Sequence, residues 1–185
     1  MGLIDTNHNV KNTRYQVIGG SSVVWMGGYI LDPELLRIAG VENLLWRVKD
    51  FASDLLVLKL CSVETLNSLS ALHSEDSGAV AILSLTLYFM RMRLYAVNTK
   101  VLGFRERISL IWSCTIWMTS FGYQSRLGTN QKNMLANRRN MVTEGIGMIF
   151  LIARNDIMNV RYCTTEPCEH WFPGLRVDKR EFTVL

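Results

Sequence analysis

The sequence has few prolines and lacks the motifs of several common enzyme classes. Only three prolines occur among 185 residues, and none lies between Pro33 and Pro167. Because proline interrupts helices, its absence permits long helices across that interval. No P-loop, GxGxxG, HExxH or GxSxG motif is present, so NTPase, dehydrogenase and hydrolase functions have no support from motifs.

Disulfide and export signals are also missing. The four cysteines, Cys61, Cys114, Cys163 and Cys168, form no disulfide framework. The Cys163-x₄-Cys168-x-His170 spacing fits no standard zinc site. The first residues are polar and lack the apolar stretch of a secretory signal. These features predict a reducing compartment, either nuclear or cytoplasmic.

Apolar runs long enough for a membrane span are scarce. The uncharged run from Ile108 to Ser125 is interrupted by serines and threonines, and Ser77–Met90 has 14 residues, fewer than the roughly 20 that a span requires. A membrane is therefore an unfavoured partner. The apolar content of 49% is enough for a buried core, and the length predicts one domain, or a core with one helical lobe.

Positive charge is concentrated in the middle of the chain. The formal net charge is +4, yet the stretch from Arg91 to Arg139 holds nine basic residues and a single acid, Glu106, which amounts to +8. Such a basic stretch predicts a surface that faces phosphate. The candidate nucleic-acid contacts within it are Arg91, Arg93, Arg105, Arg107, Arg138 and Arg139. The alternative is that these residues only decorate solvated helix faces.

The predicted secondary structure begins with strands. Residues 1–31 look extended, because β-branched residues accompany the pairs Gly19-Gly20 and Gly27-Gly28, which suit short strands or a hairpin. Asp32-Pro33-Glu34 has the residue types of a helix start, and Gly40 is expected to interrupt the helix that follows.

Helices are predicted for most of the remaining chain. Their expected ranges are 62–72, 74–98, 104–124 and 130–155, and another short helix is expected to carry Glu169 in its first turn. Apolar stripes predict that the long helices pack as a bundle. The stripe of helix 74–98 contains Val80, Leu83, Leu87, Met90 and Leu94, and that of helix 104–124 contains Ile108, Ile111, Trp112, Ile116, Trp117 and Phe121. Gly145 and Gly147 mark a weak point or a close-packing position in the last long helix.

Two short segments could carry chemistry. Asp5, His8, Lys11 and Arg14 follow one another at three-residue spacing, which on a helix or turn places them roughly on one face. A carboxylate followed by cations suits Mg²⁺ and phosphate, since the acid holds the metal and the cations neutralise backbone oxygens. An exposed polar segment without function has the same pattern.

The second segment lies far downstream. Glu169 stands in Pro167-Cys168-Glu169-His170-Trp171-Phe172, where the aromatic residues predict a helix that packs on a core and presents one acid. The helix dipole also favours glutamate in a first turn without any function.

Together these segments resemble a known family. Asp5-x-x-His8-x-x-Lys11-x-x-Arg14 resembles the segment around the second catalytic aspartate of P-element-type transposases, including their THAP-domain relatives. The Glu169 segment resembles the helix that bears the final glutamate of their Asp, Asp, Glu triad. The motifs cover about twenty residues, and the chain departs from the family pattern at Tyr15 and Pro173.

The resemblance implies a fold. It is a mainly α (α+β) protein, with a helical bundle inserted into a small strand and helix remnant of an RNase H-like core. Residues 1–31 would be the core remnant, 32–156 the helical insertion lobe, and 157–185 the return segment with the final core helix.

The resemblance also implies a function. Asp5 and Glu169 would be catalytic Mg²⁺ ligands, while His8, Lys11 and Arg14 would support the site or touch DNA. The ancestral activity is two-metal cleavage and transfer of DNA strands. The strands that bear the family's first catalytic aspartate have no counterpart here, so we expect a fragment that is inactive alone, binds DNA weakly, and has the missing N-terminal part of the core as a partner.

Two other interpretations remain open from the sequence. The chain could be a non-enzymatic helical protein that binds a partner or a membrane through its tryptophan- and methionine-rich helices. It could also be a reading frame without a selected function.

Overall fold

The computed structural model describes residues 6–19, 23–26, 28–47, 53–72, 77–120, 124–127 and 131–154. Helices account for most of these residues, so the predicted mainly helical fold is confirmed. The relation to an RNase H-like core stays a prediction. Asp5, the predicted helix at Glu169 and the predicted segment 157–185 lie outside the described residues.

The N-terminal part differs from the extended structure that the sequence predicts. Helix α1 spans Thr6–Arg14 and continues as a π-helical segment, Tyr15–Gly19. The buried residues of α1 are mostly polar: Thr6, Asn9, Val10, Thr13 and Arg14. A helix that buries polar side chains has no apolar stripe, so a search for hydrophobic periodicity does not detect it.

A small antiparallel sheet follows. Strands β1 (Val23–Met26) and β2 (Tyr29–Leu31) form the hairpin that the Gly27-Gly28 pair predicts, with Trp25 opposite Ile30. Gly28 has a φ of +89°, a conformation that glycine adopts without steric cost. Strand β3 (Gln124–Leu127) pairs with the other edge of β1, which gives the order β2-β1-β3.

Four short helices connect the sheet to the long ones. They are α2 (Glu34–Ile38), α3 (Asn43–Trp46), α4 (Asp54–Leu60) and α5 (Val63–Ser70). The helix start at Asp32-Pro33-Glu34 is confirmed, because Asp32 Oδ1 accepts a hydrogen bond from the Glu34 amide at 2.9 Å. Helix α4 occupies an interval for which the sequence predicts no helix.

Gly40 ends α2 as expected. Its φ is +74°, its N–H donates to the Arg37 carbonyl at 3.0 Å, and the Val41 N–H donates to the Leu36 carbonyl at 2.9 Å. These two bonds are those of a Schellman motif, which requires a residue in the left-handed conformation after the helix.

The described residues also form three long helices. They are α6 (Ser77–Asn98), α7 (Phe104–Ser120) and α8 (Gln131–Ala153), and all three predicted ranges are confirmed to within a few residues. Helix α6 lies at the centre, where it contacts α1, α4, α5, α7 and β2.

One main core joins the N-terminal elements to the helical lobe. Val10 of α1 and Met26 of β1 lie in the same apolar cluster as Leu83 and Leu87 of α6. This cluster therefore crosses the predicted boundary between residues 31 and 32. A second, smaller cluster lies where α6 ends, α7 begins and α8 ends, and it contains Ala96, Val97, Ile111, Met148 and Ile152.

The predicted stripes are confirmed for α6 and only in part for α7. All five predicted positions of α6 are buried. On α7, Ile111 and Trp117 are buried, whereas Trp112 and Ile116 are 51% and 46% exposed. The prediction that Trp112 belongs to the core is therefore wrong, because Cys114, Thr115 and Met118 share the inner face of α7 with Ile111 and Trp117.

The burial of α6 can be tested by comparing two leucines of the same helix. Leu87 is fully buried and Leu85 is 40% exposed. We expect Leu87→Ala to lower the free energy of unfolding by about 2–5 kcal/mol, and Leu85→Ala to change it by about 1 kcal/mol or less. Urea denaturation measures both. Equal destabilisation by the two variants would contradict the assigned face of α6.

Candidate functional site

Helix α1 carries the N-terminal motif and lies against α4, α6 and α8. His8, Lys11 and Arg14 do not share one face. His8 is exposed, Lys11 is half-buried and Arg14 is buried. Three residues advance an α-helix by about 300°, so each successive motif residue is rotated by about 60° from the last. His8 and Arg14 therefore point in different directions.

The two cations of the motif bind protein groups. Lys11 Nζ lies 2.9 Å from Asp54 Oδ1 of α4. Arg14 Nη2 donates to the Leu45 carbonyl of α3 at 3.4 Å. Because Arg14 is only 1% exposed, its guanidinium is not available to a phosphate in this conformation, and its predicted contact with DNA is not supported.

A buried carboxylate, Glu144 of α8, organises the polar face of α1. Its Oε2 accepts a hydrogen bond from Asn9 Nδ2 at 2.7 Å and lies 3.2 Å from Arg93 Nη2 of α6. The Thr6 hydroxyl donates to Oε1. The Arg93 and Glu144 side chains are 1% and 0% exposed, so the two charges neutralise each other away from water.

Two more polar contacts extend this cluster. Arg93 Nη2 also donates to the Met141 carbonyl at 3.1 Å. The Thr13 hydroxyl lies 3.1 Å from Met141 Sδ. On α8, the groups that contact α1 are therefore Met141 and, about one turn further along, Glu144.

The sequence offers one signal for this cluster, which the motif analysis missed. Glu144 is the sole charged residue between Met141 and Ala153. A charge in an otherwise apolar helical run is seldom buried unless it is paired. The sequence does not identify the partner of Glu144, because Arg93 lies 51 positions earlier on another helix.

Gly145 provides the space for the Arg93–Glu144 pair. A Cβ at this position would overlap the Thr115 Oγ1 of α7 and the Arg93 Nη1. The prediction of a close-packing glycine in the last long helix is thus confirmed for Gly145. No atom of the described residues lies within 4 Å of a Cβ placed at Gly147.

Arg107 has a structural place at the end of α6. Its guanidinium donates to the carbonyls of Ala96 and Thr99, the latter at 2.8 Å, and so satisfies acceptors that the helix end leaves open. Burial lowers the pKa of Arg107 from its ordinary value. Arg93 and Arg107 are 1% and 4% exposed, so neither is available to bind DNA as the charge pattern predicts.

The other predicted nucleic-acid contacts lie at or near the surface. Arg105 and Arg139 are exposed, and Arg91 is half-buried. Arg138 belongs to α8, but its side chain lies outside the described residues. Among the predicted arginines, Arg105 and Arg139 are therefore accessible, whereas the Arg91 Nη1 donates to the Cys61 carbonyl at 3.2 Å.

A pocket of about 430 Å³ lies between α1, α4 and the last turns of α6. Its lining combines amide, hydroxyl and charged groups with a few apolar side chains. The lining residues are Asn7, Asp54, Leu58, Cys61, Arg91, Leu94, Tyr95, Asn98 and Thr99. Asn98 Nδ2 donates to Asn7 Oδ1 at 3.4 Å, which joins α6 to the start of α1. The pocket thus brings Arg91 next to the N-terminal motif, two regions that are far apart in sequence.

The pocket thiol is not a nucleophile at neutral pH. Burial raises the pKa of Cys61 to about 12, and burial likewise raises the pKa of Cys114 to about 11. A thiol must ionise before it can attack. Cys61 and Cys114 therefore behave as small core residues, as their apolar surroundings in the sequence suggest.

The metal-site prediction falls on residues beyond the described part of the chain. Asp5 and Glu169 both lie outside it. Among the described residues, no group of three or more His, Cys, Asp or Glu side chains could hold a metal ion. Glu144 and Asp54 lie close to Arg93 and Lys11, respectively, so neither acid stands in a cluster of ligands.

Comparison with known proteins found no relative. No protein-family model, no curated protein and no solved structure matches the chain. Any conclusion on function therefore depends on the chemistry of the described residues and on the motif resemblance.

The packing at Gly145 can be tested against Gly147 in the same helix. We expect Gly145→Ala to lower the free energy of unfolding by about 1–3 kcal/mol, because the added methyl group displaces Thr115 or Arg93. Gly147→Ala should leave it unchanged or raise it by about 0.5–1 kcal/mol, since alanine favours a helix. Thermal or urea unfolding measures both. A stabilising Gly145→Ala would contradict the close contact.

Proposed function

We propose that this chain derives from a P-element-type transposase and retains part of its RNase H-like core with the helical insertion. Its ancestral activity is two-metal cleavage and transfer of DNA strands. In this proposal Asp5 and Glu169 correspond to two of the family's three carboxylates. The activity proposed for the chain itself is weak, salt-sensitive binding of DNA.

The pocket beside α1 is the observation that carries the binding proposal. It joins Asn7 of the N-terminal motif to Arg91, Asn98 and Thr99 of the helical lobe. Amide, hydroxyl and guanidinium groups are donors that bind phosphate and sugar oxygens without regard to base sequence. Lys100 follows Thr99 in the chain and is exposed, as is Arg105 at the start of α7. This end of α6 therefore carries accessible positive charge.

Mg²⁺ enters the proposal through the resemblance alone. Carboxylates are ligands that Mg²⁺ accepts, so Asp5 and Glu169 have the right chemistry to hold it. When bound, two such ions activate the attacking oxygen and stabilise the leaving one. Thr6 and Asn9, which follow Asp5 in the sequence, hold the first turn of α1 through their hydrogen bonds to Glu144. His8, three positions after Asp5 in the sequence, is exposed.

A second candidate function is binding of a partner or a membrane without catalysis. Helix α6 is long and apolar enough to cross a membrane by length and composition, and 56% of its most apolar window is buried inside the fold. Apolar residues are also exposed on α7 and α8, namely Trp112, Ile116, Ile146 and Phe150. Because α6 contributes to the main core, its burial argues against α6 as a spanning helix.

The DNA interface can be tested with two double variants of equal charge change. Lys100→Gln with Arg105→Gln removes exposed cations of the predicted stretch beside the pocket, whereas Arg37→Gln with Arg47→Gln removes exposed cations elsewhere. Fluorescence anisotropy with a labelled random duplex measures the affinity at several salt concentrations. We expect the first variant to bind more weakly and its slope of log K against log salt to fall by about 0.9 for each phosphate that the variant no longer neutralises. The second should resemble wild type.

Two results would overturn this proposal. Absence of affinity in wild type at low salt would remove DNA binding. Equal weakening by the two double variants would mean that net charge alone attracts DNA, with no interface at the predicted residues.

The second candidate predicts a different behaviour. A membrane-binding protein should sediment with neutral phospholipid vesicles and require detergent for solubility, because exposed apolar side chains supply its affinity. We expect wild type to remain in the supernatant, and Trp112→Ser with Phe150→Ser to change nothing in this assay. Vesicle binding that the double variant abolishes would favour the second candidate.

A further inference from the structure

The contacts of Glu144 go beyond those needed to neutralise Arg93. Its carboxylate is fully buried, and it receives groups from two different elements: Arg93 of α6, and Thr6 with Asn9 of α1. Arg93 supplies the opposite charge. Two of the acceptor positions of the carboxylate are used by α1, and both of these hydrogen bonds come from its first turn.

The other attachments of α1 are also polar: Asn98 donates to Asn7, and Lys11 pairs with Asp54. The buried residues of α1 are Thr6, Asn9, Val10, Thr13 and Arg14, of which only Val10 is apolar. Burial of apolar surface therefore contributes little to holding the first turn. Hydrogen bonds to a charged acceptor are stronger than those between neutral groups, so the bonds to Glu144 dominate the attachment of Thr6 and Asn9.

We propose that Glu144 is a positioning residue for the N-terminal part of the DNA interface: its carboxylate fixes the first turn of α1, which carries the exposed His8. This inference rests on the proposed function, in which His8 contacts DNA. It makes the helical lobe a necessary support of that part of the interface, because Glu144 and Arg93 both belong to the lobe.

The alternative role is purely structural, with Glu144 present only to neutralise Arg93. A pair of variants separates the two roles. Arg93→Met with Glu144→Leu removes both buried charges, and such replacement by apolar residues is often neutral for stability. Thr6→Val with Asn9→Leu leaves the Arg93–Glu144 pair in place and removes only the hydrogen bonds from α1.

Native-state amide hydrogen exchange measures the attachment of α1, and the amides of α7 serve as the internal reference. In both double variants we expect the α1 amides to exchange at least about tenfold faster, because a hydrogen bond to a charged group is removed, while the α7 amides keep their protection. Unchanged protection of α1 in a folded double variant would overturn the proposal. If Arg93→Met with Glu144→Leu does not fold, the Thr6 and Asn9 variant decides by the same criterion.

DNA affinity supplies a second readout that a merely neutralising role would not change. We expect either double variant to weaken DNA binding by about the same factor as His8→Gln. The positioning role is overturned if both double variants bind DNA with wild-type affinity while His8→Gln binds DNA more weakly. If wild type itself binds no DNA, the proposed function fails, and the hydrogen-exchange comparison still decides whether Glu144 fixes α1.

Discussion

The buried carboxylate of Glu144 is the group on which the placement of α1 depends. It joins α8 to α6 through Arg93 and to α1 through Thr6 and Asn9. An ion pair without access to water is costly to break from one side, since the remaining charge has no solvent to stabilise it. Gly145 lets Arg93 reach this position. The first turn of α1 is therefore held by a residue more than 130 positions away in the chain.

The basic residues of the helical lobe serve two different purposes. Arg93 and Arg107 are buried, where one neutralises Glu144 and the other closes the end of α6 through the carbonyls of Ala96 and Thr99. Arg105 and Arg139 remain exposed. The charge that a basic stretch offers to a polyanion is smaller than its residue count indicates, because buried guanidinium groups are already bound to protein acceptors. The proposed DNA interface therefore depends on the exposed cations near the end of α6, which lies beside the start of α1.

Sequence patterns predicted the apolar elements well and the polar ones poorly. The stripe of α6, the start of α2 just after Asp32 and its end before Gly40 were all predictable, because each depends on neighbours within one or two turns. Helix α1 was predicted as extended, since its buried side is polar and lacks an apolar period. Trp112 was assigned to the core, but a helix with apolar residues on several sides leaves its inner face undetermined until it packs. The site residues Asp5 and Glu169 lie outside the described chain, so their proximity stays a prediction.

Local patterns were enough to predict the mainly helical class, the ranges of the three long helices and the glycine hairpin, because these follow from local periodicity and from backbone preferences of single residues. The packed fold was needed to establish which cations are buried, that Glu144 pairs with Arg93, and that Asn7 and Arg91 line one pocket. Such pairings join residues distant in the chain, and no local pattern encodes them. Burial and charge neutralisation are properties of the packed interior, where a group is stable only beside its partner.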